Sequence, residues 1–346
     1  MNAESGQTAA SGSSGASGTS GTSGTSGSAG ASGPQGQYGQ YQVLLDQCRG
    51  APPCRTAVVH PCDAESLHAA MAAQRAGLIA PILVGPKARI EALADKHAID
   101  ISGFTIAPTP HSHGSAAEAV RMARSGEVEV LMKGCLHTDE LMAEVVSAAN
   151  GLRTARRISH CFVMDVPSYP RLLIITDAAI NIVPSLAEKV DIVQNAIDLA
   201  RVLGFDPVRV AVLSAMETVN PEIRSTIEAA ALCKMAERGQ ITGALIDGPL
   251  ALDNAISFES MRIKQIDSPV AGCANVLMVP DLEAGNMLAK SLSFMAGAQA
   301  AGIVVGARVP VILPSRADSA ASRLAASAVA ALLAIHRRQS VAAAIV

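Results

Sequence analysis

The sequence predicts an α/β fold: two open, mainly parallel α/β domains. Three observations predict it. From about Tyr41 onward, short β-branched runs alternate with segments of helical pattern, the signature of strand–helix–strand units and a parallel sheet. The runs are apolar on consecutive rather than alternate residues, as expected of strands covered on both faces. And 346 residues suffice for two such domains.

Taken in order, "TAVVH" (56–60) is the first strand and "ESLHAAMAAQRAGL" (65–78) its helix. "APILVG" (80–85) follows, with a helix beginning near Lys87. "VEVLMKG" (128–134) leads into the helix "TDELMAEVVSAA" (138–149). "RLLIIT" (171–176) precedes the helix "KVDIVQNAIDLARVL" (189–203), closed by Gly204. "RVAVLSA" (209–215) precedes "PEIRSTIEAAALCKMAER" (221–238), where Asn220 reads as the cap, Pro221 as the first helical residue and Gly239 as the stop. "GALIDG" (243–248), "NVLMVP" (275–280), "GIVVGA" (302–307) and "VPVILP" (309–314) complete the strands. Pro314 ends the last one, and "AASRLAASAVAALLAIHRR" (320–338) is helical.

Residues 5–36 are Ser/Gly/Thr repeats without hydrophobic period, so 1–40 are expected to be a disordered tail. That tail lacks the apolar centre of a secretory signal, and "LAASAVAALLAI" is too short to span a bilayer, so a cytoplasmic protein without membrane contact is expected. The 27 Lys+Arg and 30 Asp+Glu nearly balance and aromatics are only 2%, which argues against nucleic acid as a partner. Seven scattered cysteines with no CxxC pair predict reduced, mostly buried thiols.

Function is suggested by what stands at the strand ends. The runs finish at Thr176-Asp177, at Ser214 with Glu217 behind it, at Asp247, at Asp281 and at Ser315-Arg316. One such residue is ordinarily a helix cap; five suggest a polar cleft, because ligands of open parallel sheets bind outside the carboxyl ends of the strands. Asp318 or Ser319 would cap the last helix, placing its N-terminus beside Arg316 as an anion site. Lys133, just past a strand, is either a phosphate contact or merely solvated. A dinucleotide fingerprint, a P-loop and a nucleophile elbow are all missing. "HSHG" (111–114) has no third ligand at suitable spacing, so no metal is expected.

The blocks "TDAAINIVP" (176–184), "LSAMETVNPEIRST" (213–226), "RGQITGALIDGPLALDNAIS" (238–257), "SPVAGCANVLMVPDLEAGNMLAK" (268–290) and "VPVILPSRADS" (309–319) closely resemble the phosphate acetyl/butyryltransferase family. "LMKGCLHTDEL" and "GLRTARRISHCFVMD" match it as well, and the likeness runs from about Thr56 to the C-terminus. The resemblance implies an architecture similar to the isocitrate/isopropylmalate dehydrogenase fold, with an interdomain cleft. One domain would comprise 41–153 plus 302–346, the other 154–301. It implies a homodimer that moves a short acyl group between coenzyme A and inorganic phosphate. Acyl-CoA, phosphate and acyl phosphate would be its ligands, with no organic cofactor.

Carried over, the family's serine–arginine pair falls on Ser315, a hydrogen-bond donor to the reacting carbonyl oxygen, and Arg316, which would hold the phosphate. Lys133, Asp177, Asn181, Asp247 and Asn286, from the matching blocks, are the substrate-binding candidates. Acetyl members carry an acidic residue seven positions after the serine, thought to deprotonate the thiol; here that position is Ser322, and Asp318 is the nearest carboxylate. Where they carry an arginine after the "HTDEL" block, this chain has Ala143. Both departures and the "SRADS" wording lean towards butyryltransferases, whereas the family's general usage favours acetyl, which is the expectation adopted. An acyl-carrier-protein transacylase and a catalytically silent acyl-CoA sensor are the alternatives.

Overall fold

A computed structural model describes residues 39–315 and 317–343. Most of the sequence-expected tail, 1–38, lies outside the described residues, and Gly39 already begins a helix. In chain order the elements are α1 (Gly39–Gln47), β1 (Cys54–Val59), α2 (Ala64–Arg75), β2 (Ile79–Gly85), α3 (Lys87–Lys96), β3 (Thr105–Pro108), α4 (Ser112–Arg124), β4 (Val130–Lys133) and α5 (Thr138–Val145). Next come β5 (Ser159–Asp165), β6 (Leu173–Thr176), α6 (Leu186–Val202), β7 (Arg209–Leu213), α7 (Arg224–Glu237), β8 (Leu245–Leu250), α8 (Leu252–Ile256) and α9 (Phe258–Ile263). The chain continues through β9 (Val276–Met278), α10 (Leu282–Met295), β10 (Gln299–Val305), β11 (Val311–Ile312) and α11 (Ala320–Ala343).

The strands form a single sheet in the order β3-β2-β1-β4-β11-β10-β5-β6-β9-β7-β8. The five strands from β3 to β11 run parallel, and so do the four from β6 to β8. Between the two blocks, β10 is antiparallel to both β11 and β5, and β5 is antiparallel to β6. Three reversals in succession turn the second block to face the opposite way from the first. The carboxyl ends of β6, β7, β8 and β9 therefore leave the sheet at one edge, and that of β11 at the other. The expectation that five strand ends share one cleft is thus corrected.

Packing follows the same division. One sheet face carries a continuous apolar core from Val58 and Met132 through Cys161 and Ile303 to Ile174 and Val276. The other face carries two separate cores, one around Ala57, Leu131 and Val311, the other around Met164, Ile175 and Leu277. Against this split face lie His160 and Phe162 of β5, their rings 4.5 Å apart, and Gly302 of β10. A Cβ on Gly302 would come within 3.1 Å of both the His160 ring and the Leu313 carbonyl, so an added methyl would press on both.

Two boundaries differ from the sequence reading. Asn220 does not cap α7, which begins at Arg224; the Asn220 side chain accepts from the Glu222 N–H instead, and its carbonyl accepts from Ile223 and from the Thr226 hydroxyl. A side-chain-stabilised turn thus outcompetes the first helical turn, as Asn commonly allows. The run "VPVILP" yields only a two-residue strand, because Pro310 cannot donate to the ladder and Pro314 stops it. Gly204 and Gly239 both follow their helices with positive φ, as expected. None of the seven cysteines, all among the described residues, forms a disulfide, and four are buried. Among the described residues, no helix is long and apolar enough to cross a membrane.

Candidate active site

The parallel strands β1, β4 and β11 are neighbours, and their carboxyl ends meet over a cavity of about 280 Å³. Each strand delivers its own groups. Leaving β1, the chain turns at His60, a non-glycine residue at φ 54, and reaches Asp63. Asp63 caps α2 by accepting the Ser66 N–H at 2.7 Å. After β4 stand Lys133, Gly134 and Cys135; the N–H groups of Gly134 and Cys135 donate to the Val59 and His60 carbonyls, each at 2.9 Å. Those two bonds clip the end of β4 to the end of β1. After β11 come Pro314 and Ser315, and the first turns of α11 add Arg323.

Ser315 is exposed, and among the described residues its Oγ accepts only a long 3.4 Å contact from the Ala317 N–H. Its N–H is taken by the Asp318 carboxylate at 2.8 Å. Arg323 straps the same loop from the far side, donating through Nη2 to the Ser315 carbonyl at 3.0 Å and through Nε to the Asp318 carbonyl at 3.3 Å. Lys133 is buried, and its ammonium donates to the Gly134 carbonyl at 3.3 Å. The lining thus holds two cations, Lys133 and Arg323, beside the carboxylates of Asp63 and Glu65, with α2 and α11 starting at its rim.

The two acids nearest the loop are tuned in opposite directions. Burial alone would raise the Asp63 carboxyl, but the Ser66 hydroxyl and N–H, the Cys135 thiol and the Arg323 charge outweigh it, and Asp63 is held below its ordinary value. For Asp318 burial dominates, offset only in part by the Ser315 N–H and the charges of Arg323 and Lys133, so its carboxyl is raised. A raised carboxyl is a better proton acceptor than an ordinary aspartate once it is ionised.

Of the sequence-derived candidates, Ser315, Asp318 and Lys133 are brought together here. Arg316 lies outside the described residues. Asp177, Asn181, Asp247 and Asn286 lie on the reversed block instead. The buried Asp177 carboxylate is consumed by its own turn, accepting the Ala179 and Ile180 N–H groups at 2.9 and 3.0 Å and the Asn181 amide at 2.6 Å. Asn181 in turn accepts from Arg157 at 2.7 Å and lines a second, larger hollow of about 890 Å³, with Ala143 also on its wall. Asn286 donates to the Ala178 carbonyl at 3.2 Å, and Asp247 accepts the Gly248 N–H on β8. Ser214 bonds Ser225, and Asp281 caps α10. Ser319 caps the first turn of α11 by accepting the Ser322 N–H at 3.1 Å. Ser322 is buried against that same hydroxyl, 3.2 Å away.

Sequence reasoning missed Asp63 and Arg323. "CDAES" carries a capping pattern for Asp63, but nothing local ties it to Ser315, more than 250 residues away. Arg323 sits eight positions after Ser315, where it reads as one more helix residue. His111, the first residue of "HSHG", is a helix cap whose Nδ1 accepts the Gly114 N–H at 3.1 Å. Among the described residues, no group of three or more His, Cys, Asp or Glu could hold a metal ion.

The family described as phosphate acetyl/butaryl transferase matches residues 109–331. A phosphate acetyltransferase of Rhizobium meliloti is 60% identical over 302 residues, covering 87% of this chain and 96% of its own length. A phosphate butyryltransferase of Clostridium beijerinckii is 39% identical over 295 residues, covering 85% of this chain and 98% of its own. The solved branched-chain phosphotransacylase from Enterococcus faecalis V583 superposes with a TM-score of 0.72 at 28% identity, covering 81% of this chain and 99% of that one. Fold, loop chemistry and these likenesses agree, and the chain belongs to the phosphate acetyl/butaryl transferase family.

Proposed function

We propose that this chain reversibly transfers a short acyl group, acetyl by preference, between coenzyme A and inorganic phosphate at the Ser315 cavity. The observation that carries the reading is the meeting of Ser315, Lys133 and Asp318 where three parallel strands end. In the direction of acyl-CoA formation, the thiol proton passes to Asp318, and the thiolate sulfur attacks the carbonyl carbon of the acyl phosphate. The carbonyl oxygen becomes an oxyanion held by the Ser315 hydroxyl. The C–O bond to phosphate then breaks, and phosphate leaves with both bonding electrons against Lys133; the family resemblance gives Arg316 the same role. Neither a metal nor an organic cofactor enters this sequence. Ser322, whose hydroxyl is engaged with Ser319, has no part in it.

The base assignment has a pH signature. With its carboxyl raised by burial, Asp318 must lose its proton to act, so the rate should fall on the acid side at a higher pH than an ordinary aspartate would give. Asp318→Asn is expected to lower kcat and to abolish that limb in a pH–rate profile. An unchanged acid limb would remove Asp318 from the mechanism.

Acetyl is preferred over butyryl because the 60% identical relative is a phosphate acetyltransferase, whereas the butyryltransferase relative is 39% identical. An extra methylene changes pocket affinity by about 1–3 kcal/mol, so kcat/KM should favour acetyl phosphate over butyryl phosphate by about tenfold or more in a thiol-consumption assay. A reversed ratio would make the chain a butyryltransferase. Tight acyl-CoA binding without turnover would make it a sensor.

The segments 41–153 plus 302–346 and 154–301 are read as two lobes, supported by the reversal of strand direction and the split core face. A cytoplasmic homodimer is the accompanying assembly. The exposed Met287, Phe294 and Met295 on α10 support an interface there.

A further inference from the structure

Away from the Ser315 cavity, a hollow of about 580 Å³ opens between α6, α11 and the carboxyl end of β10. Because β10 is antiparallel to β11, this end of the sheet is opposite to the one that carries Ser315. Leu199, Val202, Val305 and Leu333 give the hollow apolar walls, and three arginines converge on it. Arg156 is paired with Asp198. Arg337 donates to the Arg308 and Ala307 carbonyls at 2.6 and 3.1 Å and meets no carboxylate among the described residues. Arg201, exposed and lying against Gly243, has no ion-pair partner among them either. His336 completes the wall. Three arginines and one aspartate thus line it, in a chain whose net charge is −3.

For the half-buried Arg337 this arrangement is costly unless something neutralises it. A cation taken from water into a partly buried site needs a counter-charge, and neutral carbonyls supply only part of it. Burial pushes the Arg337 guanidinium pKa down, and no carboxylate among the described residues pairs with it. Planar guanidinium forks match carboxylate and phosphate oxygens in pairs. The apolar walls add room for a carbon skeleton, and the volume exceeds the needs of a lone inorganic ion.

We infer that this hollow binds a small organic dianion or polyanion, held by Arg201 and Arg337 and backed by the apolar wall, separately from the acyl-transfer cavity. Its position at the end of α11 remote from Arg323 sets it apart from the acyl-transfer cavity. Phosphate esters and polycarboxylates share the recognising chemistry, so the test carries both.

Calorimetric titration of the full chain with inorganic pyrophosphate and, separately, with citrate would decide it. At least one probe is expected to bind wild type and Lys133→Met alike, since Lys133 belongs to the other cavity, and to bind Arg201→Gln at least about tenfold more weakly. Pyrophosphate binding alone would identify a phosphate ester, citrate binding alone a polycarboxylate. The Arg201 side chain makes no hydrogen bond among the described residues, so its replacement reports on the ligand rather than on folding; Arg337→Gln is the second variant. The inference is overturned if neither probe binds wild type, if both arginine variants bind as wild type does, or if Lys133→Met alone abolishes binding.

Discussion

Replacing Ser315 by alanine should lower kcat by about 10²–10³-fold while leaving KM for acetyl phosphate nearly unchanged, because a donor aimed at a developing oxyanion contributes about 2.7–4 kcal/mol in the transition state and little in the ground state. The surroundings of Ser315 make this a clean experiment. Its side chain is exposed, and among the described residues Oγ meets only the Ala317 N–H, at 3.4 Å. The loop is fixed by other atoms: the Ser315 N–H on Asp318 and the Ser315 carbonyl on Arg323. Removing Oγ should therefore leave the melting temperature where it was. Ser315→Thr, which keeps a hydroxyl at the same place, should recover much of the loss. A Ser315→Ala enzyme with wild-type kcat would show that the oxyanion is held elsewhere and that the cavity has been misread.

The uneven legibility of this protein in its sequence has a physical cause. Strands such as "TAVVH" and "RLLIIT" announce themselves because burial on both faces demands unbroken apolar runs, and helices announce themselves by period and by Gly204 or Gly239 at their ends. These are local demands, and the chain meets them locally. Strand direction is not local. "SHCFVMD" begins with two polar residues after an arginine-rich stretch, so β5 does not declare itself as a strand; yet β5 and β10 are the antiparallel pair that reverses half of the sheet. Without that reversal, Asp177 and Asp247 look like partners of Ser315. With it, they belong to the opposite edge, and Asp177 is spent on its own turn. Arg323 escaped for a related reason. Its role depends on how the 315–319 loop folds back over the first turn of α11, and no periodicity encodes that. What remained legible was the chemistry gathered over β1, β4 and β11, because those strands run in the same direction.

Gly134→Ala should be the most damaging single methyl that can be added to the site. A Cβ there would stand 2.5 Å from the Val59 carbonyl oxygen and 2.7 Å from that of His60, both backbone atoms that no rotamer change can move aside. The same two carbonyls accept the Gly134 and Cys135 N–H groups. Relieving the overlap therefore means parting β4 from β1 and stretching both hydrogen bonds. Overpacking of this kind costs about 1–3 kcal/mol, and two weakened hydrogen bonds add about 0.5–1.5 kcal/mol each, so a loss near 3 kcal/mol or more is expected in a urea melt. The damage should also be catalytic. Lys133 adjoins Gly134 on the chain and bonds its carbonyl, so the ammonium shifts with the turn, and a displacement near 1 Å can cost about 10²-fold in rate. Gly103→Ala is the control, since its added methyl would meet only the Gln74 amide at 3.9 Å. If Gly134→Ala melts and turns over like Gly103→Ala, the end of β4 is free to yield, and the rigid clip between β4 and β1 cannot be what positions Lys133.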